Sequence, residues 1–487
     1  NNYVSATATD AEGNTSEFSQ SVPVDTLAPG PFVVNSTGND GDTNPGDGIC
    51  DTGGPNVEGR PECTLCAAIR EANALTGKNH IVFDIPGSAP HVISPETALP
   101  EITDPLVIDG TTEPDYIDFP VVEINGNMAE SGDGLYLTAG NSKVKGLIIN
   151  QFKNNGIVLA ENDNNLVTGN YIGTRPDGAD GSTKNASAGD SGNAESGILI
   201  DGSSGNTIGG VAFGQMNVIA YNGNHGIDIL SGSGNEISKN SIYENGALGI
   251  NLAGGTENES FVTENDSGDA DGGSNDLQNY PSIGAVTIVN DEIQIKGSLT
   301  SQPNSLFKIN VYANSEADNS QFGEGKMFVG AVMVSTDESG YAEFETVFPF
   351  SGDETYFCAT ATDQFNNTSE FSMNSSATPT GIQRLSADVS PAGFSLLQNY
   401  PNPFHTSTNI RFSLPETSRV IMAVYSIDGR KITELVNKTT PAGSHKITWN
   451  AAGLNPGIYF YRLQADPVSG RKNFNSIKKM ILLKQAE

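Results

Sequence analysis

Short apolar triplets recur through the middle of the chain, each opened by glycine and bounded by polar residues. They are Gly134-Leu-Tyr-Leu137, Gly156-Ile-Val-Leu159, Gly197-Ile-Leu-Ile200, Gly226-Ile-Asp-Ile229 and Gly249-Ile-Asn-Leu252. The steps between them are 22, 41, 29 and 23 residues, so insertions sit in the two longer steps. A second apolar stretch follows inside each turn, as in Asn165-Leu-Val-Thr-Gly-Asn170, Asn206-Thr-Ile-Gly-Gly210 and Asn235-Glu-Ile-Ser-Lys-Asn240. A third follows at Tyr171-Ile172, Val218-Ile219 and Ser241-Ile-Tyr243. Strands this short cannot bury a face alone, but stacked turn on turn they make one aliphatic core with parallel sheets. The pattern predicts a right-handed parallel β-helix. Asn at the corners suits left-handed turns, and stacked Asn side chains can bond along the axis.

A solenoid end needs a cover. The stretch Cys63–Leu75 is the one convincing helix, with Leu65, Ile69 and Ala72 on one face, and it precedes an apolar strand at Ile81–Ile85. It is expected to cap a solenoid spanning 31–279. From 280 to 378 the period changes to longer alternating or buried strands such as Glu292–Leu299, Phe307–Tyr312 and Thr355–Ala361, which predicts an immunoglobulin-like sandwich of about seven strands. The Cys-Trp-Cys signature of antibody domains is missing, since the only Trp is Trp449. A Pro/Ser/Ala-rich linker is expected at 379–393. Residues 394–487 read as another small sandwich with an Asp-Gly hairpin at Asp428-Gly429.

Residues 6–19, ATATDAEGNTSEFS, match residues 359–372, ATATDQFNNTSEFS, at eleven of fourteen positions. On this basis residues 1–22 are expected to be the final hairpin of a preceding Ig-like module, with 1–30 comprising that hairpin and a linker.

The 487-residue length suits two to four domains, and 55 glycines suit a turn-rich, all-β chain. Net charge is −33 and uneven. Of 25 basic and 58 acidic residues, 13 and 6 lie from Gly381 onward, leaving 12 and 52 before it. So acidic a surface repels nucleic acid and anionic lipid and suits cation binding. No run of 18 apolar residues offers a transmembrane segment. A disulfide between Cys50 and Cys63 would close a short loop, as in exported proteins. The alternative, Cys63-x-x-Cys66 as a redox pair or half a zinc site, lacks a second pair and a strand-helix context.

The run Phe32-Val-Val-Asn-Ser-Thr, then Asn44-Pro-Gly-Asp-Gly-Ile-Cys50, then Cys63-Thr-Leu-Cys-Ala-Ala-Ile-Arg-Glu-Ala-Asn73 resembles the CSLREA-type opening of secreted bacterial β-helix proteins. Cys66 stands where that group often carries Arg. Gly205–Gly210 through Asn217-Val-Ile219 resembles the repeats of the same group, and 280–378 resembles bacterial surface Ig-like modules. The last domain resembles the C-terminal sorting domain of the type IX secretion system. The resemblance is carried by Leu396-Leu-Gln-Asn-Tyr400-Pro401-Asn402-Pro403-Phe404, Gly457-Ile-Tyr459-Phe-Tyr-Arg-Leu463 and Lys479-Met-Ile-Leu-Leu-Lys484. It implies export, engagement of that secretion machinery, and display on the outer cell surface or release.

Three acidic clusters are candidate chemistry. Asp40, Asp42 and Asp47 alternate as in calcium loops, although no bidentate Glu follows. Asp266, Asp269, Asp271 and Asp276 lie where solenoid passes to sandwich, where calcium would stiffen the joint. Asp363, Asn366 and Glu370 read as a plain turn. A lyase needs an Arg or Lys base with cations and a hydrolase needs two facing carboxylates, and neither set is evident. Asn224-His225-Gly-Ile227 alone echoes a glycosidase signature, and His225 at a turn reads as a surface residue. The insertion 174–196 reads as a surface loop or a glycan contact. The sequence therefore predicts a surface-displayed, non-catalytic protein that binds an extracellular glycan or surface protein. A β-helix carbohydrate-active enzyme is the alternative, and a passive spacer the third reading.

Overall fold

The computed structural model describes residues 2–4, 22–24, 30–117, 119–175, 192–210, 214–289, 292–350, 352, 354–377, 394–397, 399, 404, 407–427, 429–451, 453–469 and 473–482. The repeat at 6–19, the linker at 379–393, Tyr400, Pro401, Asn402, Pro403, Lys484 and most of the 174–196 insertion lie outside these residues. The segments on either side of the first repeat, Asn2–Val4 and Val22–Val24, pair antiparallel.

The middle of the chain is a parallel β-helix. Its three sheets hold seven, six and five strands among the described residues, each strand pairing with its equivalent one turn later. The apolar triplets make the five-stranded sheet: Leu135–Leu137, Ile157–Ala160, Ile198–Asp201, Ile227–Ile229 and Ile250–Leu252. Pairing in register puts Ile157, Ile198, Ile227 and Ile250 in one column facing inward. The glycine before each triplet lets successive turns stack closely. A Cβ on Gly197 would stand 2.7 Å from the carbonyl oxygen of Gly226, and one on Gly226 would stand 2.6 Å from that of Gly249.

Among the described residues three asparagine ladders run along the axis. In one, the backbone N–H and the Nδ2 of Asn193 both donate to Oδ1 of Asn222 (3.4 and 2.9 Å), and those of Asn222 donate to Asn245 (3.2 and 2.9 Å). The second steps from Asn170 to Asn217 to Asn240, and the third from Asn165 to Asn206 to Asn235. The expected left-handed corner residue is displaced by one position. Positive φ falls on the residue before the ladder asparagine, at Asn164, Tyr221, Lys239 and Glu244 and at Gly169, Gly205 and Gly234. The ladder asparagine serves its axial bonds instead.

The helix, Leu65–Ala74, is N-capped by Thr64, whose side chain accepts from Ala67 N–H, and it buries Leu65, Ile69 and Ala72 at the N-terminal solenoid end. The first rung is not at 81–85 as expected. Phe32–Val34 precedes the helix and pairs parallel with Asn79–Phe83, so the helix is inserted between the first two rungs. A Cys50–Cys63 disulfide closes the loop before the helix.

Residues 282–376 form a sandwich of a three-stranded and a four-stranded antiparallel sheet. It covers the C-terminal end of the solenoid, which the sequence left open. Tyr312, Cys358 and Phe371 belong to the solenoid's own apolar core. The Phe371 ring takes the place of a further turn, since a Cβ on Gly249 would meet it at 2.9 Å. Glu324 ends the Asn193–Asn222–Asn245 ladder, its Oε1 accepting from both N–H (3.1 Å) and Nδ2 (2.7 Å) of Asn245. Asn275 ends the Asn165–Asn206–Asn235 ladder and donates onward to the Thr368 carbonyl. The segment read as a plain turn is this cap. Asn367 Oδ1 accepts from Gly234, Thr368 Oγ1 from Ile237, and the two oxygens of Glu370 from Leu252 and Thr263 at 2.9 and 2.8 Å. The C-terminal domain is a separate sandwich of three- and four-stranded sheets around Phe404, Phe412, Trp449 and Tyr461.

Replacing Asn222 by Ala strands the buried donors of Asn193 and is expected to cost at least about 2 kcal/mol. Denaturant unfolding of the solenoid reads this directly. A second expectation concerns pH. Burial pushes the carboxyls of Glu324 and Glu370 up to about 8, from an ordinary 4.5. Between those values the unfolded chain releases protons that the folded chain retains. The stability these two groups contribute is therefore full below about pH 4.5, falls as pH rises toward 8, and is lost above it. Glu324→Gln is expected to flatten the decline in melting temperature measured from pH 5 to 8.

Candidate functional site

Among the described residues one group of three or more potential metal ligands lies within ligand reach. Oxygens of Asp266, Asp269 and Asp271 all fall within 4.8 Å of one another. Asp269 is buried, and its carboxylate accepts from Asn279 N–H (2.8 Å) and Ser301 Oγ (2.7 Å), which ties the joint to the sandwich. Burial pushes Asp269 up to about 6. Asp276 is not part of the group. Its carboxylate accepts from Asn367 Nδ2 at 3.1 Å and belongs to the solenoid cap.

Asp40, Asp42 and Asp47 are likewise not gathered. Asp42 is spent on backbone N–H groups of Asn44 (2.8 Å) and Asp51 (2.9 Å), and Asp47 on Ile49 N–H (2.8 Å) and Asn44 Nδ2 (2.9 Å). The loop is fastened to the helix by buried Glu71, whose oxygens accept from Gly46 and Gly48 N–H. These carboxylates hold a loop whose backbone lacks strand partners.

A groove of about 630 Å³ lies where the last solenoid turns meet a sandwich loop. The solenoid contributes Asn224, His225 and Asn251, the following hairpin Glu257 and Phe261, and the sandwich Asp318. His225, read from sequence as a surface residue, is half-buried in this wall. Its Nδ1 accepts from Leu248 N–H at 3.1 Å, so the neutral ring carries its proton on Nε2. Burial pushes the imidazole below its ordinary value, against the opposing pull of Asp228 and Glu257. Asp228 beside it accepts from Asn251 Nδ2 at 2.7 Å. The groove thus gathers a histidine and carboxylates that the sequence placed 30 or more residues apart. Glu257, Phe261 and Asp318 had no sequence signal, because each stands in a loop without a motif.

The C-terminal domain locates its motif residues in structural roles. Phe404 is buried against Trp449 with ring centres 5.6 Å apart, and its N–H donates to Ile481 O at 3.0 Å. Gly457 and Tyr459 lie in the strand Gly457–Pro467, where Tyr459 donates to Asn455 O at 2.7 Å. Lys479 lies on the neighbouring strand, paired with Phe460 and half-buried.

Residues 398–482 match the family described as "Secretion system C-terminal sorting domain". No curated protein matches the chain. Among solved structures, dimeric latent PorU from Porphyromonas gingivalis is similar at 19% identity over 42% of this chain and 20% of that one, with a TM-score of 0.18. The tetra-tandem repeat in the extending region of a large adhesion protein matches at 16% identity, over 42% of this chain and 49% of that one, with a TM-score of 0.15. The enzymatically active domain of tailspike protein 2 from bacteriophage CBA120 matches at 10% identity, over 85% and 67%, with a TM-score of 0.14. The chain spans about a fifth of the first and half of the second, and no role is transferred from any of them.

No helix among the described residues is long and apolar enough to cross a membrane. The sorting domain marks the chain for export to the cell surface or extracellular space by the type IX system. Deleting 394–487 is expected to leave a folded solenoid and sandwich, whose cores are separate from the deleted one, but to abolish surface exposure. Cell fractionation with protease shaving reads both.

Proposed function

We propose that this chain is a surface-displayed, non-catalytic binding or adhesion protein, whose ligand is an extracellular glycan. The observation that carries this reading is the groove at the capped end of the solenoid. It is open to solvent, it is walled by two domains locked together through buried hydrogen bonds, and it displays an aromatic ring among polar groups. Concave sites with one apolar surface and a few fixed polar groups are the usual form of small-ligand sites. The CSLREA-type opening and the Ig-like character of the 280–378 sandwich fit a modular surface protein of this kind. The sorting machinery is the partner during export.

Calcium is proposed at Asp266, Asp269 and Asp271, where it would offset like-charge repulsion at the joint. It would act there as a structural ion rather than as a reactant.

One observation favours the enzymatic alternative. His225 stands near Asp228 and Glu257, a histidine with carboxylates in an open groove. The two readings separate in one experiment. The intact protein, with calcium or with a chelator, is incubated with a broad panel of polysaccharides. Retention without new reducing or unsaturated ends is the expected result. Product formation, or no retention on any polysaccharide, overturns the proposal.

A further inference from the structure

Phe261 is 69% exposed at the tip of a short loop. The loop is not slack. Asn258 Oδ1 accepts from Ser260 N–H (2.7 Å) and Val262 N–H (3.3 Å), and Asn258 N–H donates to Val262 O (2.9 Å). Glu257 and Thr263 form a bridge at its base, and Thr263 N–H is held by buried Glu370 of the sandwich. Phe261 itself sits at φ +63°, a left-handed backbone that side chains other than Gly, Asn and Asp rarely adopt. A rigid loop therefore holds an aromatic ring out over the groove in an unfavourable conformation.

The polar lining has one sign. Glu257, Glu259 and Asp318 supply carboxylates, and no lysine or arginine lines the groove among the described residues. The hydrogen bond from Leu248 leaves His225 Nε2–H as a donor. Such a lining accepts hydrogen bonds from hydroxyl groups and repels carboxylate or sulfate substituents, and the acidic surround adds to that repulsion. The volume suits a short oligosaccharide.

We infer that the groove takes a neutral oligosaccharide, with Phe261 stacked on the apolar face of a sugar ring. His225 Nε2 donates to the sugar hydroxyls, and Glu257 accepts from them. This rests on the glycan-binding reading above and narrows it to one site and one ligand class.

The test uses the full chain and immobilised gluco-, manno-, galacto- and N-acetylglucosamine oligomers beside uronate and sulfated oligomers. Binding to at least one neutral oligomer, weakened at least about tenfold by Phe261→Ala and retained by Phe261→Tyr, is the expected result. Phe365→Ala, which removes a comparably exposed aromatic ring outside the groove, is expected to leave binding unchanged. Thermal unfolding of each variant checks that the fold is intact. Preference for acidic oligomers, or neutral binding indifferent to Phe261→Ala, overturns the inference and leaves the glycan-binding reading standing. Absence of binding to every oligomer and polysaccharide overturns both.

Discussion

The last turn of an asparagine-laddered solenoid has donors and no turn above it to accept from them. Asn245 illustrates the constraint, since its backbone N–H and side-chain Nδ2 point to where the next ladder oxygen would be. A buried donor left unpaired costs on the order of 1–3 kcal/mol. Asn275, just before the sandwich, ends one ladder, and the sandwich answers further donors of the last turn. A carboxylate oxygen of Glu324 stands in for the missing asparagine, while Asn367, Thr368, Glu370 and the Tyr312 hydroxyl take the N–H groups of Gly234, Ile237, Leu252 and Lys239. Two carboxyls leave water to do this, at a cost visible in their raised proton affinity.

The same contacts build the candidate site. Glu324 lies six residues beyond Asp318, and between them Phe322 is buried with Leu248 and Val262 and packs edge-on against Tyr280 at 5.6 Å. The sandwich wall of the groove is thus fixed by the residue that ends a ladder. On the other side Glu370 holds Thr263, at the base of the Phe261 loop. Both walls are positioned by cap carboxylates, so the groove's width is set by the docking and not by loop chance.

The solenoid was legible in the sequence because its period, its glycines and its asparagines each answer to a local rule. The apolar triplets recur because Ile157, Ile198, Ile227 and Ile250 share one column, and the C-terminal motifs fall in order on one sandwich. Other features were not legible. Phe32–Val34 was missed as the first rung because its partner lies 49 residues on, beyond the helix. The cap was missed because Glu324 and Glu370 look like ordinary polar residues until the last solenoid turn is brought to them. The acidic run at 40–47 has a structural use that its spacing alone does not show. Asp42 and Asp47 alternate as calcium ligands do, yet a loop with few strand partners consumes carboxylates in holding its own backbone. The groove had no local signature because its residues come from four separate segments.

The cap also changes what the fourteen-residue repeat means. Read alone, ATATDQFNNTSEFS is a strand, a turn and a strand, and the sequence at 6–19 carries the same pattern. Within it, however, Asp363 fixes the turn by accepting from Phe365 and Asn367 N–H, while Asn367, Thr368 and Glu370 bond the solenoid and Phe371 closes its core. The positions shared with the first copy include every one of these, as Asp10, Asn14, Thr15, Glu17 and Phe18. The three that differ, at 364–366, form the tip of the turn, where Phe365 is exposed. A hairpin needs only its turn residues and an alternating apolar face; it does not need Thr, Glu and Phe at these spacings. What the chain carries twice is therefore the residue set that covers the end of a solenoid, and the strand pattern comes with it.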